Sequence, residues 1–242
     1  MNAPRLDLSR FDAAIVDLDG TMVDTLGDFA VSLNQMLGDL SLPPIPSAAI
    51  ERMVGKGSEH LILSALAHVL ASPASAFAHE GADALQARAQ ALFDRAWDRY
   101  QHHYLAINGQ HSALYPGVLE GLAALRARGL RLACLTNKPG AFARPLLAAK
   151  GLEGFFDFAF GGDAFERKKP DPLPLRRACE ALGTAPERTL MIGDSSNDAR
   201  AARAAGCPVV LVTYGYNHGE PIRAVDADGF VDSLAELGAA PG

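Results

Sequence analysis

With 242 residues, 49% of them hydrophobic, the chain is long enough to bury one substantial core plus a smaller satellite, and its composition is not that of a disordered protein. Its formal net charge of -6, with Lys and Arg scattered and not gathered in a stripe, argues against a nucleic-acid partner. No apolar stretch approaches the roughly 20 residues of a spanning helix, and the opening MNAPRLDLSRFDAAIV lacks the basic-then-apolar order of a signal peptide, so a cytoplasmic monomer or homodimer without membrane contact is expected.

In chain order, the first buried strand is expected at residues 12–16 (DAAIV). It is followed by about ninety residues that read almost wholly helical, far more than a crossover connection needs. There Leu26, Phe29, Leu33 and Leu37 mark one apolar face, residues 61–70 another, and residues 85–104 a long Ala-, Arg- and aromatic-bearing pattern. The Pro-rich segment 42–46 separates two of these helices.

Further strands are expected at 130–135 (LRLACL), 155–160 (FFDFAF), 189–192 (TLMI) and 209–212 (VVLV). Helical patterns begin at Pro116, Pro172 and Asp198, and Gly129, Gly183 and Gly206 end them. Strand and helix alternate, which predicts an α/β fold: a Rossmann-like parallel sheet with helices on both faces, plus a helical bundle inserted after the first strand. The expected division is a core of residues 1–23 and 115–242 and an insert of residues 24–114.

Ligands of an open parallel sheet bind beyond the carboxyl ends of its strands, and here those ends are polar. They read Asp17-Leu18-Asp19-Gly20-Thr21, Thr136-Asn137-Lys138, Gly161-Gly162-Asp163 and Gly193-Asp194-Ser195-Ser196-Asn197-Asp198. Asp17, Asp19, Asp194 and Asp198 would converge on one edge, where like charges repel unless a cation compensates. Oxygen-only ligands favour Mg2+. Zinc is not expected, because no His or Cys stands at a zinc-ligand spacing, and Cys134, Cys179 and Cys207 read as reduced, small apolar residues.

A carboxylate can attack phosphorus once the phosphate charge is neutralised, which makes Asp17 the candidate nucleophile. Asp19 is the candidate general acid and base. Gly20 would let the backbone approach the phosphate and offer amide donors.

The stretch DLDGTMVDT, residues 17–25, resembles the DxDGTxxDS/T signature of the haloacid dehalogenase superfamily of phosphatases. Leu135-Thr136-Asn137, Lys168-Lys169-Pro170 and Gly193–Asp198 resemble that family's later motifs in order. The resemblance implies that Thr136 holds the transferring phosphoryl oxygens and that Lys169, directly before a helix-starting Pro170, pairs with nucleophile and phosphate, with Lys168 its competitor. It implies Mg2+ held by Asp17, Asp194 and the Asp19 carbonyl, with Asp198 one layer further out or bound through water. Gly20, Thr21 and Asn137 fall at its substrate-binding positions.

It also implies that the helical insert is a cap that closes over the site. Val54-Gly55-Lys56-Gly57 resembles the cap's specificity loop, from which Lys56 would reach a substrate carboxylate. Tyr115-Pro116-Gly117-Val118 and Tyr214–Pro221 (YGYNHGEP) resemble the family's bacterial phosphoglycolate phosphatases. The expectation is therefore a phosphatase whose partner is a small phosphorylated metabolite, 2-phosphoglycolate, hydrolysed through an aspartyl-phosphate. Phosphatases of sugar phosphates, pyridoxal phosphate or pyrophosphate, and a phosphohexose mutase, are the alternatives. A dehalogenase has no use for Asp19, and intact Asp17, Asp19, Thr136, Lys169 and Asp194 speak against an inactive phosphoester sensor. Tyr214, Tyr216 and His218 either line the site entrance or form an aromatic turn.

Overall fold

In the computed structural model, which describes residues 7–238, six parallel strands form one sheet in the order β5-β4-β1-β6-β7-β8. These are β1 (Ala13–Val16), β4 (Arg131–Leu135), β5 (Phe158–Phe160), β6 (Thr189–Gly193), β7 (Val209–Val212) and β8 (Gly229–Val231). Residues 1–6 and 239–242, which include the start of the opening segment and the last residues of the expected core, lie outside the described residues.

Both faces of the sheet are covered, so its central strands carry no polar side: β1, β6 and β7 are buried at every position. The period-two alternation then sorts their side chains between two cores. Ala14, Val16, Leu132, Cys134, Leu190 and Ile192 meet α5 (Val118–Ala127) and α6 (Gly140–Ala149) on one face. Ala13, Ile15, Ala133, Leu135 and Met191 meet α7 (Leu173–Leu182) and α8 (Ser196–Ala205) on the other. Gly183 and Gly206 end α7 and α8 in the left-handed conformation, as their spacing suggests.

Four helices follow β1: α1 (Leu26–Asp39), α2 (Ser47–Glu51), α3 (Ser58–Leu70) and α4 (Ala82–Ile107). They pack on Phe29, Leu33, Leu37, Ile62, Leu66 and Tyr100, and the sheet layer adds Phe142 and Tyr216 to the same cluster. An antiparallel pair, β2 (Val23–Asp24) with β3 (Ala113–Leu114), joins the segments by which the chain leaves and re-enters the sheet layer. No helix among the described residues is long and apolar enough to cross a membrane.

Four elements depart from the expectations. The strand expected from Phe155 starts at Phe158, because residues 153–155 close a 3-10 turn first. Helix α6, which contains Pro145, and the three-residue edge strand β8 were not anticipated. Pro170 does not start a helix; it follows a cis Lys169–Pro170 bond in a turn, and α7 begins three residues later.

Candidate active site

The chain builds β4 and β5 on one side of β1 and then returns to place β6 on the other, so the strand order reverses beside β1. A crevice opens at the carboxyl ends of strands at such a point. Asp17 follows β1, Thr136 follows β4 and Asp194 follows β6, and all three are buried.

Carboxylate oxygens of Asp17, Asp194 and Asp198 all lie within 4.8 Å of one another. The cation among them is Lys169, whose Nζ stands 2.9 Å from Asp17 Oδ1 and 2.7 Å from Asp198 Oδ1 and donates to the Leu135 carbonyl at 2.8 Å. Burial opposes the charge on Lys169, but Asp17 and Asp198 overcome it and hold the ammonium above its usual range. Burial pushes Asp17 up to about 7, with Asp198 adding to the rise and Lys169 opposing it. Burial also raises Asp194, and the charges of Asp198 and Asp17 add to the effect. One ammonium among three buried carboxylates leaves excess negative charge, which is the electrostatic setting of a divalent-cation site.

The two oxygens of Asp198 have different duties. Oδ1 faces Lys169, while Oδ2 accepts from the Ser195 hydroxyl at 2.7 Å and from the amides of Ser195 and Asp194 at 3.2 and 3.3 Å. With Ser195 it forms the capping box of α8. Gly20 has φ +82°, and a Cβ there would overlap the Asp194 carboxylate, so only glycine allows the first loop to close on this acid.

Several expected contacts fall elsewhere. The Gly20 amide is not open to a phosphate, because it donates to the Val23 carbonyl at 2.9 Å. The Thr21 hydroxyl faces Asp194 Oδ1 at 3.5 Å. Asn137 lies at the site with both ends of its amide committed: Oδ1 accepts from the Lys169 amide at 3.0 Å, and Nδ2 donates to the carbonyls of Lys169 at 2.8 Å and Gly55 at 3.1 Å. Lys168 points away to Glu59, 2.9 Å distant.

Between the sheet edge and the helices lies a cavity of about 20 Å3, room for about one water. Asp17, Thr136 and Lys138 line it from the sheet side, and Phe29, Gly55 and Leu61 from the helical side. Lys56 is exposed and forms no part of this wall, although its neighbours Gly55 and Gly57 do.

Lys138 was given no role from the sequence, and Tyr216 was read only as lining the site entrance or packing in an aromatic turn. Lys138 Nζ binds both oxygens of Asp19, at 3.0 and 3.2 Å. Tyr216 donates its amide to Asp194 Oδ2 at 2.7 Å, while its hydroxyl donates to Asp24 at 2.7 Å and accepts from the amides of Thr25 and Leu26 at 2.8 and 3.0 Å. Lys138 carried a readable signal, a charge immediately after Thr136-Asn137 at a strand end. Tyr216 carried only its place in an aromatic turn.

This site and fold are those of a family of hydrolases: the haloacid dehalogenase-like hydrolase model matches residues 11–206, and the chain belongs to that family. It is 42% identical to the phosphoglycolate phosphatase of Thiobacillus denitrificans, over 93% of this chain and 92% of that protein. It is 43% identical to the phosphoglycolate phosphatase of Nitrosospira multiformis over the same shares. The crystal structure of a predicted phosphoglycolate phosphatase from Haemophilus somnus superposes with a TM-score of 0.84 at 34% identity, covering 94% of this chain and 96% of that one.

Proposed function

We propose that this enzyme hydrolyses 2-phosphoglycolate to glycolate and phosphate through an aspartyl-phosphate formed on Asp17. The observation that carries the reading is the buried Asp17 carboxylate at the sheet's switch point, 2.9 Å from Lys169 Nζ and grouped with Asp194 and Asp198. The phosphoglycolate phosphatases to which the chain is similar over nine-tenths of its length support the substrate.

In the first half-reaction an oxygen of Asp17 forms a bond to phosphorus as the ester P–O bond breaks, and Asp19 gives its proton to the departing glycolate oxygen. In the second, water gives a proton to Asp19 and attacks the same phosphorus, releasing phosphate and the Asp17 carboxylate. Thr136 lines the cavity beside Asp17, where its hydroxyl can hold a phosphoryl oxygen. Lys169 neutralises charge on the nucleophile and on the phosphate beside it.

The surplus of buried carboxylate fits Mg2+, which would be held by Asp17, Asp194 and the Asp19 carbonyl and would supply charge neutralisation at the phosphate. Asp198 is committed to Lys169 and to the α8 cap and keeps these ligands in place. Residues 24–114 act as the cap: Phe29, Gly55 and Leu61 form the wall of the cavity that faces Asp17, so the helical layer covers the nucleophile.

Phosphate release with and without Mg2+, from a panel of 2-phosphoglycolate, glucose 6-phosphate, pyridoxal phosphate and pyrophosphate, tests the reading. The expected leader in kcat/KM is 2-phosphoglycolate, by about tenfold or more, with turnover abolished by EDTA. A different leading ester would overturn the substrate, and undiminished turnover in EDTA would overturn the metal.

A further inference from the structure

Lys169 gives its three protons to Asp17, Asp198 and the Leu135 carbonyl, so it has none to spare for a second substrate group. Lys138 is differently placed. Its side chain is 1% exposed, and its ammonium sits 4.4 Å from the Phe29 ring centroid and 4.7 Å from that of Tyr104. Among the described residues its ionic partner is Asp19 alone. Two aromatic faces attract the cation without consuming its hydrogen-bond donors, so the carboxylate opposite them can be exchanged for another without rebuilding the box.

Asp19 stands two residues after the nucleophile, and Lys138 and Asp17 share the wall of one cavity. An ester whose phosphorus lies at Asp17 therefore brings its remaining end toward Lys138 when it is only one carbon long. The Tyr104 hydroxyl is buried without a hydrogen-bond partner. Burial first, and then the charge of Asp19, hold that hydroxyl protonated and available as a donor. Lys56, the other candidate cation, is exposed and outside the wall.

We propose that Lys138 is the specificity-determining residue: its ammonium, set between Phe29 and Tyr104, leaves Asp19 to bind the carboxylate of a short phosphorylated carboxylic acid. The exchange turns one internal ion pair into an enzyme–substrate ion pair and frees the Asp19 carboxylate, which takes a proton from solvent water before giving it to the leaving oxygen. A phosphate ester without the carboxylate leaves Lys138 on Asp19 and turns over slowly. The same box also couples recognition to closure, because Phe29 and Tyr104 belong to the helices while Lys138 belongs to the sheet edge.

The inference rests on the 2-phosphoglycolate reading, and the test separates the two. Ethyl phosphate, in which a methyl group stands for the carboxylate, is compared with 2-phosphoglycolate on wild type, K138M, K138R and K56M. Wild type is expected to favour 2-phosphoglycolate in kcat/KM by about a hundredfold or more, as a site built for a charged partner does. In K138M that ratio collapses to within about threefold, chiefly by loss on 2-phosphoglycolate, and K138R restores part of it. K138Q, which keeps a polar donor opposite Asp19, gives the same reading should K138M not fold.

A K138M ratio equal to wild type, equal losses on both esters, or a collapse in K56M instead would overturn the role of Lys138 and leave the substrate standing. A wild type with no preference between the two esters would overturn the substrate reading, and this inference with it.

Discussion

Lys169 is the residue on which the charge balance of the site turns. Its side chain is 2% exposed, and it is the ion-pair partner of both Asp17 and Asp198. Removing one member of a buried ion pair leaves the other uncompensated in low dielectric, a loss of about 3–5 kcal/mol. K169M is expected to lower the unfolding free energy by about that amount in EDTA, with part of the loss recovered in Mg2+ through binding to the native state. Urea unfolding in the two buffers checks this, and an unchanged midpoint in EDTA would contradict it. Turnover should fall more than about a hundredfold in both buffers, because the charge beside the nucleophile is gone.

At the scale of elements, one tyrosine joins three parts of the fold. The amide of Tyr216 reaches Asp194 at the end of β6, its ring enters the helical cluster, and its hydroxyl meets Asp24 on β2 and the first amides of α1. The Y216F variant keeps the ring and the amide but strips the acceptor from the Thr25 amide and leaves the Leu26 amide only Asp24 Oδ1, at 3.2 Å, and is expected to cost about 1–3 kcal/mol. A thermal midpoint several degrees lower would confirm it; an unchanged midpoint would show that the α1 amides find another acceptor.

The elements themselves were largely legible in the sequence. Runs such as TLMI and VVLV are buried at every position because both sheet faces are covered, and Gly183 and Gly206 stop their helices by backbone conformation alone. What stayed hidden had no local signature. Helix α6 contains a proline, and β8 is three half-buried residues whose strand character comes from pairing with β7.

For the molecule as a whole, the site is assembled from segments that strand order alone brings together, and its legibility divides accordingly. Asp17, Asp194 and Asp198 could be read in advance, because every parallel strand delivers its last residues to the same edge. The meeting of Lys138 with Asp19, Phe29 and Tyr104 depends on where helices 26–107 settle on that edge, which spacing does not encode. Asn137 shows the same limit: its motif marks it for substrate, while the fold spends its amide on Lys169 and on Gly55 of the helical layer.

The central claim is that phosphorus is transferred twice, first to Asp17 and then to water. Each in-line displacement inverts configuration at phosphorus, so two displacements restore it. The most direct measurement is the stereochemical course of hydrolysis with an isotopically chiral phosphate ester. Net retention is the expected result, with no turnover in D17N; net inversion would mean that water attacks the ester directly and that Asp17 is not the nucleophile.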